Sequence, residues 1–132
     1  FDQTLEAAQS MLALDPESES GLRFRFLALD TQRAPEAFDA WRAYYAVQPD
    51  DASSLLHKRA DLDFREGRND AAVAALEVLL EKEPDNPRGH YLLGLIYSQS
   101  DPEQAKVHLQ RFIELAPDDP EVPLAKDILS YL

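Results

Sequence analysis

PRGHYLLGLIYSQSDPEQAKVHLQRFIELAP, residues 87–117, holds two apolar segments either side of a short polar turn. Leu92, Leu93 and Tyr97 cluster around Gly94 in the first, and Leu109, Phe112 and Leu115 recur three apart in the second. Apolar residues three and four apart place one side of a helix against a core, so the stretch predicts two helices joined by SQSDPE. Gly94 and Ala105 fall where the two axes must come close. Small residues there let helices approach at the short end of the usual separation of about 8–10 Å. Pro117 ends the second segment, because proline lacks an amide donor and disfavours helix in the residue before it.

The same grammar recurs along the chain. Proline-acid turns stand at LDPES, VQPDD, KEPDN and LAPDD, with Pro16, Pro49, Pro84 and Pro117 spaced 33, 35 and 33 residues apart. Before each proline runs a helical pattern: Leu5, Ala8 and Leu12; Phe38, Trp41 and Tyr45; Ala72, Leu76 and Leu79; and the Leu109 set. After each comes another: Leu22, Phe26 and Leu29; Leu56, Ala60 and Phe64; the Gly94 set; and Val122, Ala125, Ile128 and Leu132. A period near 34 residues built of two helices is the signature of a helical repeat. Ala60 holds the position of Gly94, and Ala72 and Ala37 hold that of Ala105.

On these residues the sequence resembles the tetratricopeptide repeat family. Residues 87–117 carry the resemblance best, through His90, Leu93-Gly94, Tyr97, Ala105, Leu109 and Pro117, with His90 in place of the usual tryptophan. Residues 53–84 match through Ala60, Gly67, Ala72, Leu76 and Pro84, although Arg59 and Asp63 stand where apolar side chains are usual. Residues 19–49 match through Leu22, Leu29, Ala37, Trp41 and Pro49, with the bulky Phe26 in a normally small slot. The resemblance implies an all-α fold, a right-handed α-α superhelix (a TPR-like solenoid) of about eight helices in a single domain. Its expected parts are a half repeat over 1–16, repeats over 19–51, 53–86 and 87–119, and a capping helix over 120–132.

Residues 1–14 read as the second helix of a unit lacking its first, with Phe1 and Thr4 in the aromatic and small slots. Such a helix would expose Leu5, Ala8 and Leu12 unless covered. Two explanations stay open: an excised domain whose upstream repeats are missing, or a homodimer formed by two such ends. At the other end, the capping helix leaves Leu124 and Tyr131 facing outward. In ELAPDDPE, residues 114–121, Asp118 or Asp119 is expected to cap that helix and Pro120 to sit in its first turn.

The resemblance also implies an interaction scaffold that takes an extended peptide or a partner helix in a concave groove lined by the first helix of each repeat. The inward residues are then Arg23, Leu27 and Asp30; Ser54, His57, Lys58, Asp61, Phe64 and Arg65; and Arg88, Tyr91, Leu95 and Ser98. Charge supports a groove of distinct character. The segments 19–31, 53–66 and 87–99 carry a net charge of +1, while the rest of the chain carries −13. Arginine and lysine in such a groove would favour a peptide with an acidic or C-terminal carboxylate group. The competing reading is that Arg65 pairs with Asp61 one turn earlier on a solvated helix face. The two-carboxylate clamp of one sub-family is not carried over, since the only asparagines, Asn69 and Asn86, lie off the first helices. The other function considered is an oligomerisation or regulatory appendage of a larger protein, contacting through Leu5, Ala8 and Leu12.

Composition narrows the remaining classes. The chain has 132 residues, 45% hydrophobic and 29% charged, enough for one modest core. A net charge of −12 with no contiguous basic stripe argues against nucleic acid. No apolar run approaches the roughly 18 residues of a membrane span, so no membrane contact is expected of this segment. Cysteine is absent, and His57, His90 and His108 are far apart in sequence without a His-x3-His pair, so no metal or cofactor is expected. No phosphate loop or nucleophile elbow occurs, and paired acids such as Asp50-Asp51 lie in turns with no pocket, so no catalytic residue is assigned. Calcium at Asp118-Asp119 is disfavoured because an ion loop needs more oxygens at fixed spacing.

Overall fold

The computed structural model describes residues 2–15 and 18–132, the side chains of 2–5 and 8 excepted. The expected roles of Phe1, Thr4, Leu5, Ala8 and Pro16 therefore lie outside the described residues. Those residues form eight α-helices in chain order: α1 (Asp2–Leu14), α2 (Glu19–Thr31), α3 (Ala37–Val47), α4 (Pro49–Arg65), α5 (Asn69–Lys82), α6 (Pro87–Tyr97), α7 (Pro102–Leu115) and α8 (Val122–Ser130). The fold is all-α and of helical-repeat type, and no strand occurs among the described residues.

Three helices end in one way because each meets a proline. Gln48, Glu83 and Ala116 precede Pro49, Pro84 and Pro117, and their φ angles are −140°, −130° and −138° with ψ of 73°, 69° and 65°. That departure from the α region is what a following proline favours. Each of the three amides still bonds back one turn, to Tyr44, Leu79 and Phe112 carbonyls, before the chain turns away. Helix starts use side-chain acceptors: Ser18 takes the Gly21 amide, Asn86 that of Gly89, and Asp101 that of Gln104.

The last turn departs from expectation. Asp119 does not cap α8; its Oδ1 accepts from the Glu121 amide at 2.8 Å, closing the turn ahead of the helix. The helix begins at Val122, so Pro123, not Pro120, occupies its first turn. Two prolines and two aspartates in succession tighten the backbone locally before any helical hydrogen bond can form.

The chain divides into two compact units, Phe1–Leu56 and His57–Leu132. In the first, α1 packs on α2 and α2 on α3. Trp41 and Phe26 are its largest fully buried side chains, and the Trp41 indole donates to the Ala52 carbonyl at 2.7 Å. In the second, α5 packs on α6, α6 on α7 and α7 on α8. Val122 and Ala125 of α8 share a buried cluster with Tyr91, Leu109 and Phe112. Leu124 and Tyr131 point away from it, 46% and 85% exposed.

Gly94 marks a close crossing. A Cβ at this position would lie 2.5 Å from Cγ and Cδ2 of Leu109. The neighbour is thus Leu109, one turn beyond the expected Ala105, which is itself fully buried. Arg59 and Asp63 keep their helical positions by pairing. Asp63 is completely buried, with the Arg59 guanidinium 2.8 Å from Oδ2 and that of Arg68 2.9 Å from Oδ1. A buried carboxylate persists only with such partners.

Candidate functional site

The helical repeat brings six of the sequence candidates to one place in the second unit. Asp61, Phe64 and Arg65 lie three and four apart on α4; Arg88, Tyr91 and Leu95 lie three and four apart on α6. With Leu92 and Glu121 they line a cleft of about 370 Å³. Tyr91 is its floor. The ring is buried and packs on Phe112 at 4.8 Å, its hydroxyl donates to Glu121 at 3.0 Å, and the Arg88 guanidinium lies 5.4 Å from the ring centroid. Burial, then the bond to Glu121, pushes the Tyr91 pKa up to about 12. The phenol is therefore a neutral donor, and its oxygen fixes Glu121 at the edge of the cleft.

Arg65 and Arg88 are both exposed. The expected Arg65–Asp61 pair does not form, since Asp61 instead faces His57, with Oδ2 3.9 Å from Nδ1. Arg65 makes no ion pair among the described residues. Its guanidinium and that of Arg88 are thus open to a ligand, above an apolar surface of Phe64, Tyr91 and Leu95. His57 and Lys58 lie one turn earlier on α4, His57 largely buried and Lys58 exposed.

Arg23 and Leu27 belong to the first unit and to another network. The Arg23 guanidinium donates to Asp51 at 3.0 Å, and the Tyr44 hydroxyl donates to the same oxygen at 2.5 Å. Burial and the Asp51 bond raise the Tyr44 pKa to about 12. Arg23 is therefore committed to a carboxylate of its own unit. Leu27 is half-buried on α2. Of the self-association candidates, Leu12 is half-buried and faces Gly21, where an added Cβ would come within 3.1 Å of its Cγ.

A larger cleft, about 510 Å³, lies between α5, α6 and α7. Its ionisable lining is Glu77, Glu81, Asp101 and His108, beside Leu80, Leu93, Tyr97 and Gln104. No arginine or lysine lines it, in keeping with acid gathered away from the first helices.

The structure also joins two histidines that sequence separation had kept apart. Nδ1 of His90 is 3.0 Å from Nδ1 of His108, and Nε2 of His90 is 2.8 Å from the Pro84 carbonyl. A carbonyl only accepts, so His90 carries its proton on Nε2 and His108 donates from Nδ1. Burial, then the neighbouring His90, lowers the His108 pKa. No group of three or more metal-ligating side chains occurs among the described residues.

Sequence reading missed Glu121, whose place depends on the turn after α7, and the His90–His108 contact. The spacing of 18 residues between these histidines, about half a repeat, was the one available signal.

Paired helices with prolines between them and small residues at their crossings define a helical-repeat protein. Two family models match the chain, one described as TPR repeat over residues 60–101 and one as tetratricopeptide repeat over residues 89–119. Residues 60–119 thus carry tetratricopeptide repeats, and all of the cleft except Glu121 lies within the matched residues. No curated protein matches it. Repeats of this family generally mediate protein–protein interaction and are typically non-catalytic scaffolds. No described helix is long and apolar enough to cross a membrane.

Proposed function

We propose that the chain is an interaction module whose α4–α6 cleft holds a short peptide segment bearing a carboxylate, either a side chain or a C-terminus. One observation carries the reading: six of the thirteen residues that sequence placed on the inward side line one cleft, with Arg65 and Arg88 exposed at its mouth. Two guanidinium groups over aromatic and aliphatic surface suit a carboxylate followed by an apolar side chain, through charge-assisted hydrogen bonds and burial. The repeats proposed to frame it remain 19–51, 53–86 and 87–119, with α8 as cap.

The test is charge reversal at the cleft. Arg65→Glu with Arg88→Glu should weaken a partner recovered with the full-length protein by about tenfold or more. Arg23→Glu, in the other unit, should leave that partner bound. Retention of the partner by the double variant would overturn the reading. Self-association is checked by light scattering of wild type against Leu5 and Leu12 changed to glutamate: an unchanged monomer removes it.

A further inference from the structure

Resting on that reading of the cleft, we propose that His57 makes carboxylate capture proton-dependent, idle when neutral and strengthening the grip when protonated. The geometry is specific. His57 sits one helical turn before Asp61, its side chain is 16% exposed, and its Nδ1 is 3.9 Å from the Asp61 carboxylate. Its Nε2 is fully buried and has no hydrogen-bond partner among the described residues. Folded proteins seldom leave a buried ring nitrogen unsatisfied without a role for it.

Charges face His57 from three elements: Asp61 on its own helix, Glu83 in the turn after α5, and Arg88 in the first turn of α6. Burial holds its pKa below 6.5 against the upward pull of Asp61, and Arg88 adds to the lowering. The imidazole is therefore neutral at pH 7.

The consequence lies in the charge of the cleft. At neutral pH Arg65 and Arg88 are balanced by Asp61 and Glu121, and Asp61 repels an incoming carboxylate. A proton on His57 offsets Asp61 and leaves the cleft with an excess positive charge. Linkage fixes the sign: if protonation favours the anion, the bound anion favours protonation and raises the His57 pKa. Binding gains strength as pH falls through the His57 pKa and loses it as pH rises.

The experiment uses the full chain and a fluorescein-labelled peptide of alternating Glu and Leu with a free C-terminus. A matched peptide with Gln for Glu and an amidated end serves as control. Anisotropy at pH 7.5 and 5.5, where the peptide glutamates stay ionised, should show about fivefold tighter binding of the acidic peptide at the lower pH. The neutral peptide should show no such change, and His57→Gln should flatten the dependence. Should that variant fold poorly, NMR titration of the wild-type imidazoles decides, since the peptide should raise the His57 pKa and leave that of His108 unmoved. Binding that needs Arg65 and Arg88 yet ignores pH, persists unchanged in His57→Gln, or leaves the His57 titration in place overturns the role of His57 alone. Failure of the acidic peptide to bind at either pH, or binding indifferent to Arg65→Glu and Arg88→Glu, overturns the cleft and this role together.

Discussion

The hairpins α2–α3 and α6–α7 solve one packing problem in opposite ways. In α2–α3 the space between helices is filled by bulk, with Trp41 and Phe26 at 0% and 1% exposure and the indole tied to the Ala52 carbonyl. In α6–α7 the helices close on an absence: Gly94 lets Leu109 in to a distance no Cβ would tolerate. The family models match residues 60–119, which hold the second hairpin and not the first. A pattern of small against large residues is easily recognised; a large residue in a small slot hides the same architecture.

Emptying the filled hairpin should have the largest effect. Trp41→Ala removes a fully buried indole and strands the Ala52 carbonyl, so a loss of about 4 kcal/mol is expected in urea unfolding. A loss under about 1 kcal/mol would mean that α2 and α3 do not depend on this side chain. Next comes the buried pair at the end of α4. Asp63→Ala leaves Arg59 and Arg68 without their shared carboxylate, and about 3 kcal/mol should be lost.

Filling the empty crossing should do less. Gly94→Ala places a methyl against Leu109 at overpacking cost of about 2–3 kcal/mol, offset by roughly 1 kcal/mol of helix propensity. The net is a loss of about 1–2 kcal/mol. Gly21→Ala is the control: its added methyl would meet Met11 Cβ and Leu12 Cγ at 3.1 Å, a contact that a shift of a few tenths of an ångström relieves. That substitution should be near neutral, so equal losses at Gly94 and Gly21 would deny the special closeness of α6 to α7.

Much of the fold could be read from sequence because its punctuation is local. Proline dictates the conformation of Gln48, Glu83 and Ala116 whatever lies around them, so three helix ends were legible from three residues. The α8 start was misplaced because Asp119 had two local uses, helix cap and turn closure, that sequence does not rank. Asp63 looked like an error in an apolar slot; its explanation needs Arg68, which reaches it only after the chain reverses. The cleft was legible where helical spacing alone aligns Asp61 with Arg65 and Arg88 with Tyr91. Glu121 and the His90–His108 contact were not, since each depends on helices meeting across 18 or more residues of chain.

The smallest effect concerns how the first helix of each hairpin stops. Both α2 and α4 end with an amide reaching back five residues, Ala34 to the Leu29 carbonyl at 2.9 Å and Arg68 to the Asp63 carbonyl at 2.7 Å. Each closure needs one residue in the left-handed region. Gly67 supplies it after α4 at φ 80°, and Arg33 after α2 at φ 55°. Glycine adopts that region freely, whereas a side chain there adds roughly 1–2 kcal/mol of strain. Arg33→Gly should therefore stabilise the protein by about 0.5–1 kcal/mol, net of the greater entropy glycine gives the unfolded chain. Gly67→Ala should destabilise it by a similar amount, although nothing lies within 4 Å of the added methyl. Opposite signs in paired thermal melts would place the difference between the two turns in backbone conformation; equal signs would place it in the side-chain contacts of Arg33.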